Sequence, residues 1–187
     1  MMKTKDLVYA SLLAAFISVL GMLPPLPLGF IPVPITAQTL GVMLAGSFLG
    51  KKTGAMSLLL FIVLVAIGLP VLSGGRGGFA ALVGPSAGYI LSFPIAAYAI
   101  GWATEKVWRN MKTWKLLFIH IVFGVLLVNL IGAPMMALIT NTSIWAGMLG
   151  AAAYLPGDLI KAVAATLIAM QLRAVSPIED KIHSSAS

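Results

Sequence analysis

Cysteine and charge are both scarce in this 187-residue chain. It contains no cysteine, which excludes disulfides, thiolate metal sites and cysteine nucleophiles. Only 9% of its residues are charged, whereas a soluble domain would carry about a quarter. With 60% hydrophobic residues and a mean hydropathy of +1.04, its surface is tolerable only where lipid is the solvent. The sequence therefore predicts one all-α integral membrane domain over residues 1–187.

Motifs for nucleotide binding and for intramembrane catalysis are also missing. The glycines around Arg76 are not followed by the Gly-Lys-Ser/Thr that completes a P-loop. There is no His-Glu-x-x-His zinc motif, and His120 has no serine at a matching depth. The sequence predicts no catalytic site, no metal and no cofactor, so any ATP-derived energy that the protein uses must come from partner proteins.

The formal net charge of +7 has two readings, a nucleic-acid partner or basic loops beside lipid headgroups. The charges sit between apolar runs, which favours lipid headgroups and predicts no nucleic-acid partner. Lys3 and Lys5 before an apolar run resemble the start of a signal peptide, but no small-x-small cleavage site follows. An uncleaved first helix is expected.

A helix needs roughly 20 residues to cross a membrane, so each uncharged stretch can be divided into spans of about that length. The ends of the predicted spans are placed at proline and glycine clusters and at charged loops. The predicted helices are residues 7–23, 35–50, 54–72, 87–103, 115–133 and 157–173, and residues 174–187 form a polar tail. An interruption after the fifth helix is predicted from Gly132, Pro134, Asn141, Thr142 and Ser143. Whether residues 134–156 are wholly external or partly re-entrant stays open.

The positive-inside rule places short loops rich in Lys and Arg in the cytoplasm. With six spans and an internal N-terminus, the cytoplasmic cations would be Lys3, Lys5, Lys51, Lys52, Lys106, Arg109, Lys112, Lys115, Arg173 and Lys181. That is ten of the twelve. The chain is therefore predicted to be a multi-pass plasma-membrane protein with both termini in the cytoplasm. The glycine-rich loop 73–86, between helices 3 and 4, is predicted to be external.

Three charges lie outside the cytoplasmic segments: Arg76, Asp158 and Lys161. Charges within or at the rim of the hydrocarbon are expensive and indicate function. Asp158 and Lys161 are three residues apart on one helix face, where they offer a carboxylate acceptor and an ammonium donor. Arg76 stands among four glycines that allow close approach to a ligand.

Uncharged polar residues give weaker signals. Gln38 opens the second helix, Tyr89 lies in the fourth and Asn129 in the fifth. Gln38 and Asn129 either line a pocket or bond to neighbouring helices. On the first helix, Ala10 and Ala14 belong to a small-residue stripe that serves either packing within the chain or docking of a separate membrane subunit.

Several segments together resemble the BioY family, the biotin-specific substrate-binding (S) components of energy-coupling factor (ECF) transporters. The run Pro34-Ile35-Thr36-Ala37-Gln38-Thr39-Leu40-Gly41 carries the most specific part of the resemblance. The other matching segments are Leu44–Gly46, Ile67–Val71, the glycine loop, Gly84–Tyr89 and Pro156–Lys161. The resemblance extends over about residues 5–173, in the expected order.

The resemblance implies a six-helix membrane fold that captures biotin from outside. It also implies partnership with a transmembrane coupling subunit and two cytosolic ATPases, with Ala10 and Ala14 docking the coupling subunit. Asp158 would accept a ureido N–H of biotin, while Lys161 and Arg76 would meet its oxygens and its carboxylate, in either order. Apolar and aromatic residues near Phe30, Phe79 and Tyr89 would cover the thiophane ring and chain.

Other readings remain. An S component for thiamine or riboflavin would share the architecture, although those families lack the Pro-Ile-Thr-x-Gln-Thr-Leu-Gly run. An intramembrane enzyme lacks a motif here, and a structural or assembly protein would leave the three charges unexplained.

Overall fold

The computed structural model describes residues 4–25, 27, 29 and 32–178, and its regular structure there is helical, with no strand. The α-helices are α1 (Thr4–Met22), α2 (Gln38–Leu49), α3 (Lys51–Ala66), α4 (Phe79–Val83), α5 (Ala87–Val107), α6 (Thr113–Ile119), α7 (Leu127–Ile139), α8 (Ile144–Ala151) and α9 (Leu155–Gln171). A π-helical turn, His120–Leu126, joins α6 to α7, and a 3-10 turn, Ala152–Tyr154, joins α8 to α9. The all-α prediction is confirmed for these residues.

Within the described part of the chain, four helical segments are long and apolar enough to cross a membrane: Thr4–Met22, Ala87–Asn110, Thr113–Ile139 and Ile144–Val175. Helices α2 and α3 have 12 and 16 residues, fewer than the roughly 20 that a straight crossing takes. Helix α3 ends at Ala66 rather than at residue 72, because Gly68 has φ 98° and Pro70 has no amide hydrogen to donate. Residues 67–72 are thus left free to form a loop.

The fifth predicted helix is longer than expected. Of the residues that predicted the interruption, Gly132 and Pro134 lie inside the helix, which continues to Ile139, and the interruption comes only beyond it, at Asn141, Thr142 and Ser143. Proline is tolerated in a membrane helix because neighbouring groups satisfy the backbone it frees. The chain turns only beyond Thr140, where Asn141 has φ 53° and the Thr142 amide donates to the Ala137 carbonyl at 2.9 Å.

The connection after this helix is itself helical. Helix α8 packs back against α7, where a Cβ on Gly147 would lie 2.7 Å from the Ala137 Cβ. At eight residues α8 is about 12 Å long, too short to cross by itself. It continues through the 3-10 turn into α9, so residues 144–175 form one long helical segment.

Both ends of the described chain meet at the turn between α2 and α3. The Thr53 hydroxyl donates to Asp6 Oδ1 at 3.3 Å, and the Ser176 hydroxyl donates to the Phe48 carbonyl at 2.7 Å. At the same turn Lys51 Nζ lies 2.8 Å from Glu105 Oε2. The first part of the predicted polar tail therefore packs onto the bundle, with Ile178 fully buried.

Close helix contacts hold the bundle together. Gly101 in α5 lies against the backbone where α2 ends and α3 begins. A Cβ at Gly101 would be 2.5 Å from the Gly50 carbonyl carbon and 2.6 Å from the Lys51 Cα. Small residues allow membrane helices to approach this closely, and the backbone atoms that a new methyl group would meet cannot move aside easily.

Gly101→Ala should therefore destabilise the protein by about 1–3 kcal/mol through overpacking. The measurement is thermal unfolding of detergent-purified protein followed by tryptophan fluorescence. Gly157→Ala is the matched control, because the nearest atom to its new Cβ would be Ile35 Cγ2 at 3.5 Å. Equal melting temperatures for the two variants would contradict the packing account.

Candidate ligand-binding site

A cavity lies at the end of the bundle away from the α2–α3 turn. It encloses about 620 Å³ of space free of protein atoms, part of it open to solvent. Its lining comes from the segment before α2, the glycine loop and four helical segments: Val33, Pro34, Ile35, Thr36, Gln38, Thr39, Leu72, Ser73, Arg76, Ser86, Tyr89, Ile90, Phe93, Val128, Asn129, Tyr154, Asp158 and Lys161.

The glycine loop is a shaped turn. Leu72 and Arg76 exchange backbone hydrogen bonds of 2.9 and 3.2 Å across it. Gly74 and Gly75, with φ 79° and 69°, take left-handed conformations that side chains disfavour. Arg76 Nε donates to the Ser73 carbonyl at 3.1 Å. The turn thus holds an exposed guanidinium at the cavity rim.

Asp158 is the buried charge of the cavity, with 6% of its surface exposed. It lies in the first turn of α9, where the helix dipole favours a carboxylate. Its Oδ1 lies 2.6 Å from Lys161 Nζ. Lys161 Nζ also donates to the Thr36 carbonyl and to Thr39 Oγ1, both at 2.8 Å. The pair on α9 is thereby tied to the start of α2.

The carboxamide of Asn129 has a fixed orientation. Its Nδ2 donates to the Val125 carbonyl at 3.0 Å and to Asp158 Oδ2 at 3.3 Å. Both amide hydrogens are used, which leaves Oδ1 as a buried acceptor with no partner in the described part of the chain. Val125 belongs to the π-helical turn, a feature often found at functional sites.

Two hydroxyl groups that line the cavity also lack partners among the described residues, those of Tyr89 and Ser73. The Tyr89 ring packs edge-to-face on Tyr154, with centroids 5.9 Å apart. The Tyr154 hydroxyl is occupied, since it donates to the Val33 carbonyl. Buried polar groups without protein partners are rare in folded proteins, so these atoms are suited to hydrogen-bond a ligand or water.

Six of the seven predicted binding residues line this one cavity: Gln38, Arg76, Tyr89, Asn129, Asp158 and Lys161. Gln38 Nε2 donates to the Val71 carbonyl at 3.1 Å, which ties α2 to the glycine loop. Phe79 is not among the lining residues and is 68% exposed in α4, so the structure does not bring it into this cavity. Phe30 lies outside the described residues.

Sequence reasoning missed Ser73, Phe93 and Tyr154 in the cavity wall. Tyr154 had a usable signal, because it precedes Asp158 by four residues and so shares its helix face. Among residues 4–25, 27, 29 and 32–178, no three His, Asp or Glu side chains group as a metal site. The wall is suited to hydrogen-bonding an organic ligand.

Ala10 and Ala14, predicted to dock a partner, are each 1% exposed. They pack within the chain, on the side of α1 that meets α2 and α3. The docking assignment of these two residues is corrected to internal packing, because a covered Cβ offers no surface to a second protein. Ser11 and Ala15, one position further along α1, are exposed instead.

Comparison with protein families matches residues 1–177 to the BioY family. The chain is 43% identical over 180 residues to the probable biotin transporter BioY of Bacillus subtilis (strain 168), covering 96% of each chain. It is 42% identical over 172 residues to the biotin transporter BioY of Rhizobium etli, covering 89% of this chain and 92% of that one.

A solved structure gives the same result. The crystal structure of the S-component for biotin from an ECF-type ABC transporter matches with a TM-score of 0.88 and 38% identity. The match covers 93% of this chain and 95% of that one. The motif resemblance is confirmed, and the chain belongs to the BioY family.

Proposed function

We propose that this chain is the substrate-binding subunit of a biotin uptake system, which captures biotin from outside and passes it inward unchanged. The observation that carries the proposal is the set of unpartnered polar atoms in one cavity beside a buried carboxylate. The relatives named as biotin transporters support the choice of ligand.

The ureido ring of biotin complements the deep end of the cavity. A ureido group presents two N–H donors and one polarised carbonyl. Asp158 and Asn129 Oδ1 supply the two acceptors, and the Tyr89 hydroxyl supplies a donor for the carbonyl. A site that hydrogen-bonds every polar atom of its ligand rejects analogues that lack one of them.

The carboxylate of biotin belongs at the rim, beside Arg76. The charged side chains of the lining are Arg76, Asp158 and Lys161, which leave a net charge of +1 because Asp158 and Lys161 cancel. A monoanionic ligand neutralises that charge, and a guanidinium pairs well with a carboxylate. The cationic thiazolium ring of thiamine would meet the same positive charge unfavourably.

The apolar wall covers the rest of the ligand. Ile90, Phe93 and Val128 line the cavity together with the edge-to-face pair of Tyr89 and Tyr154. These side chains would enclose the thiophane ring and the aliphatic chain, which gain affinity by leaving water.

We further propose six crossings of the plasma membrane, with α2 and α3 as the two short ones and both termini in the cytoplasm. Asp6 and Ser176 meet the same α2–α3 turn, as an even number of crossings requires. Cations cluster at that end, which the positive-inside rule assigns to the cytoplasm. The cavity then opens outward.

The energy for release would come from an ECF module, a transmembrane coupling subunit with two cytosolic ATPases. Helix α1 presents Ser11 and Ala15 outward, four residues apart on an exposed face. Small residues at this spacing let a second membrane helix approach closely, so we place the docking of the coupling subunit on this face.

Asp158→Asn should weaken biotin binding by roughly 10- to 100-fold, since a charge-assisted acceptor is lost and Lys161 loses its counter-ion. Isothermal titration of detergent-purified protein against biotin measures the change. Asp6→Asn, at the opposite end of the bundle, is the matched control and should bind normally. Unchanged affinity of folded Asp158→Asn protein would refute its role.

Arg76→Ala should lower the affinity for biotin by roughly tenfold or more but leave that for biotin amide unchanged, because only biotin carries the carboxylate. The same titration, run with both ligands, checks the result. Arg109→Ala removes an exposed arginine elsewhere and should change neither affinity. An equal loss for both ligands would argue against carboxylate pairing.

Ala15→Trp should reduce co-purification with a tagged coupling subunit and its ATPases while biotin affinity stays normal, because a bulky ring blocks close helix approach. Phe16→Trp, on another exposed part of α1, is the control and should co-purify as wild type does. Undiminished capture of the Ala15→Trp protein would move the docking surface off this face.

A further inference from the structure

A short, strongly basic turn joins two of the helical segments that are long enough to cross a membrane. Segment Ala87–Asn110 is followed after only two residues by segment Thr113–Ile139. Residues 106–115, which we call the basic turn, contain no acidic residue and four cations: Lys106, Arg109, Lys112 and Lys115. Two linking residues span at most about 7 Å, so the turn cannot project far from the bundle. Its charges therefore stay close to the level where the two helices leave the hydrocarbon.

The basic turn has a fixed shape, because two of its apolar side chains are inserted into the bundle. Trp108 and Met111 are both buried. Arg173, which follows α9, donates to the Trp108 carbonyl at 2.6 Å, and its guanidinium lies 5.3 Å from the centre of the Trp108 ring. Arg109 and Lys112 each follow one of these buried residues directly, and both are exposed. The free cations are thus presented outward from an anchored backbone.

Indole rings lie beside the amines at the same level. Lys106 Nζ lies 3.9 Å from the centre of the Trp102 ring, and Lys115 Nζ lies 5.8 Å from that of Trp114. Both rings are exposed, as is Phe118, one turn further along α6. At a membrane–water interface, tryptophan rings meet acyl chains while lysine extends its ammonium to the headgroups. The surface therefore combines a positive site with an apolar side.

Other cations at this end of the bundle have acidic neighbours. Lys51 Nζ lies 2.8 Å from Glu105 Oε2, and the first turn of α1 carries Asp6 directly after Lys5. Glu105, the acidic residue next to the basic turn, is thus already paired. A general attraction of basic loops to headgroups would act on every cation at this end alike. The unbalanced charge singles out the basic turn as the place where an anion is held most strongly.

We propose that the basic turn binds the headgroup of an anionic phospholipid. The four cations hold the phosphate, and the acyl chains pack beside Trp102 and Trp114. Ammonium and guanidinium groups both bind phosphate oxygens, and a cluster of about four cations next to a membrane helix attracts anionic lipid. A free phosphate or an acidic protein would complement the cations but leave the exposed rings unused. The inference does not depend on what the cavity binds.

Brominated lipids test the site, because bromine on an acyl chain quenches the fluorescence of the tryptophans that it touches. Detergent-purified protein is titrated with brominated phosphatidylglycerol and with brominated phosphatidylcholine, which has no net charge. The wild-type protein should bind phosphatidylglycerol more tightly by about tenfold or more. Raising NaCl to about 0.5 M should remove most of that preference by screening. Equal binding of the two lipids at low salt would overturn the inference.

Arg109→Gln/Lys112→Gln removes two exposed cations and should lose most of the preference, since each basic residue near the surface contributes about fivefold. Lys5→Gln/Lys52→Gln is the matched control, because it removes two exposed cations from the same end of the bundle but leaves the basic turn intact. The control should keep the wild-type preference. An equal loss in both variants would show a general attraction and refute the site. Biotin affinity should be unchanged in both.

Two further measurements identify the occupant. Glycerol 3-phosphate carries a phosphate without acyl chains, so at millimolar concentration it should not displace the brominated lipid. Displacement would assign the turn to a soluble phosphate and contradict the proposal. The variant that lacks the two cations of the turn should also co-purify with a tagged coupling subunit as the wild type does. Reduced co-purification would assign the turn to a protein partner, against the lipid proposed here.

Discussion

A carboxylate held out of water is the constraint around which the rest of the site is arranged. Burying an isolated ion costs several kcal/mol, so Asp158 requires its counter-ion and hydrogen-bond donors in good geometry. Lys161 supplies the opposite charge from the next turn of α9, Thr39 reaches it from α2 and Asn129 from α7. These contacts bring three distant segments together, and the cavity lies where they meet.

The short helices make room for this arrangement. Because α3 stops at Ala66, the following loop can fold over the bundle and hold Arg76 at the rim. Non-helical backbone at membrane depth is tolerated where it lines a cavity, and Gln38 pins this loop by its bond to the Val71 carbonyl. The polar cavity and the irregular backbone therefore depend on each other. Close contacts at the opposite end, around Gly101, fix the frame that carries them.

Sequence patterns predicted the helix positions well and their ends less well. Hydropathy counts apolar residues but does not register which backbone groups find partners. Pro134 lies inside α7 because neighbouring groups satisfy the backbone hydrogen bonds that a proline leaves open. Helix α3 ends earlier than predicted because Gly68, just beyond it, has a positive φ. The same limit applies to side chains. Ala10 and Ala14 were assigned to partner docking from their spacing, but they are buried within the chain, and the covered side of α1 is known only from its neighbours.

Composition and motifs by themselves determined the membrane class, the all-α character, the family, and the three charges that stand apart from the basic loops. These follow from local chemistry, because each depends on residue type and spacing along the chain. The tertiary structure decided which groups those charges contact. Lys161 bonds to Thr36 across 125 positions of sequence, a contact that no local pattern encodes. That contact ties the ion pair on α9 to the segment just before α2.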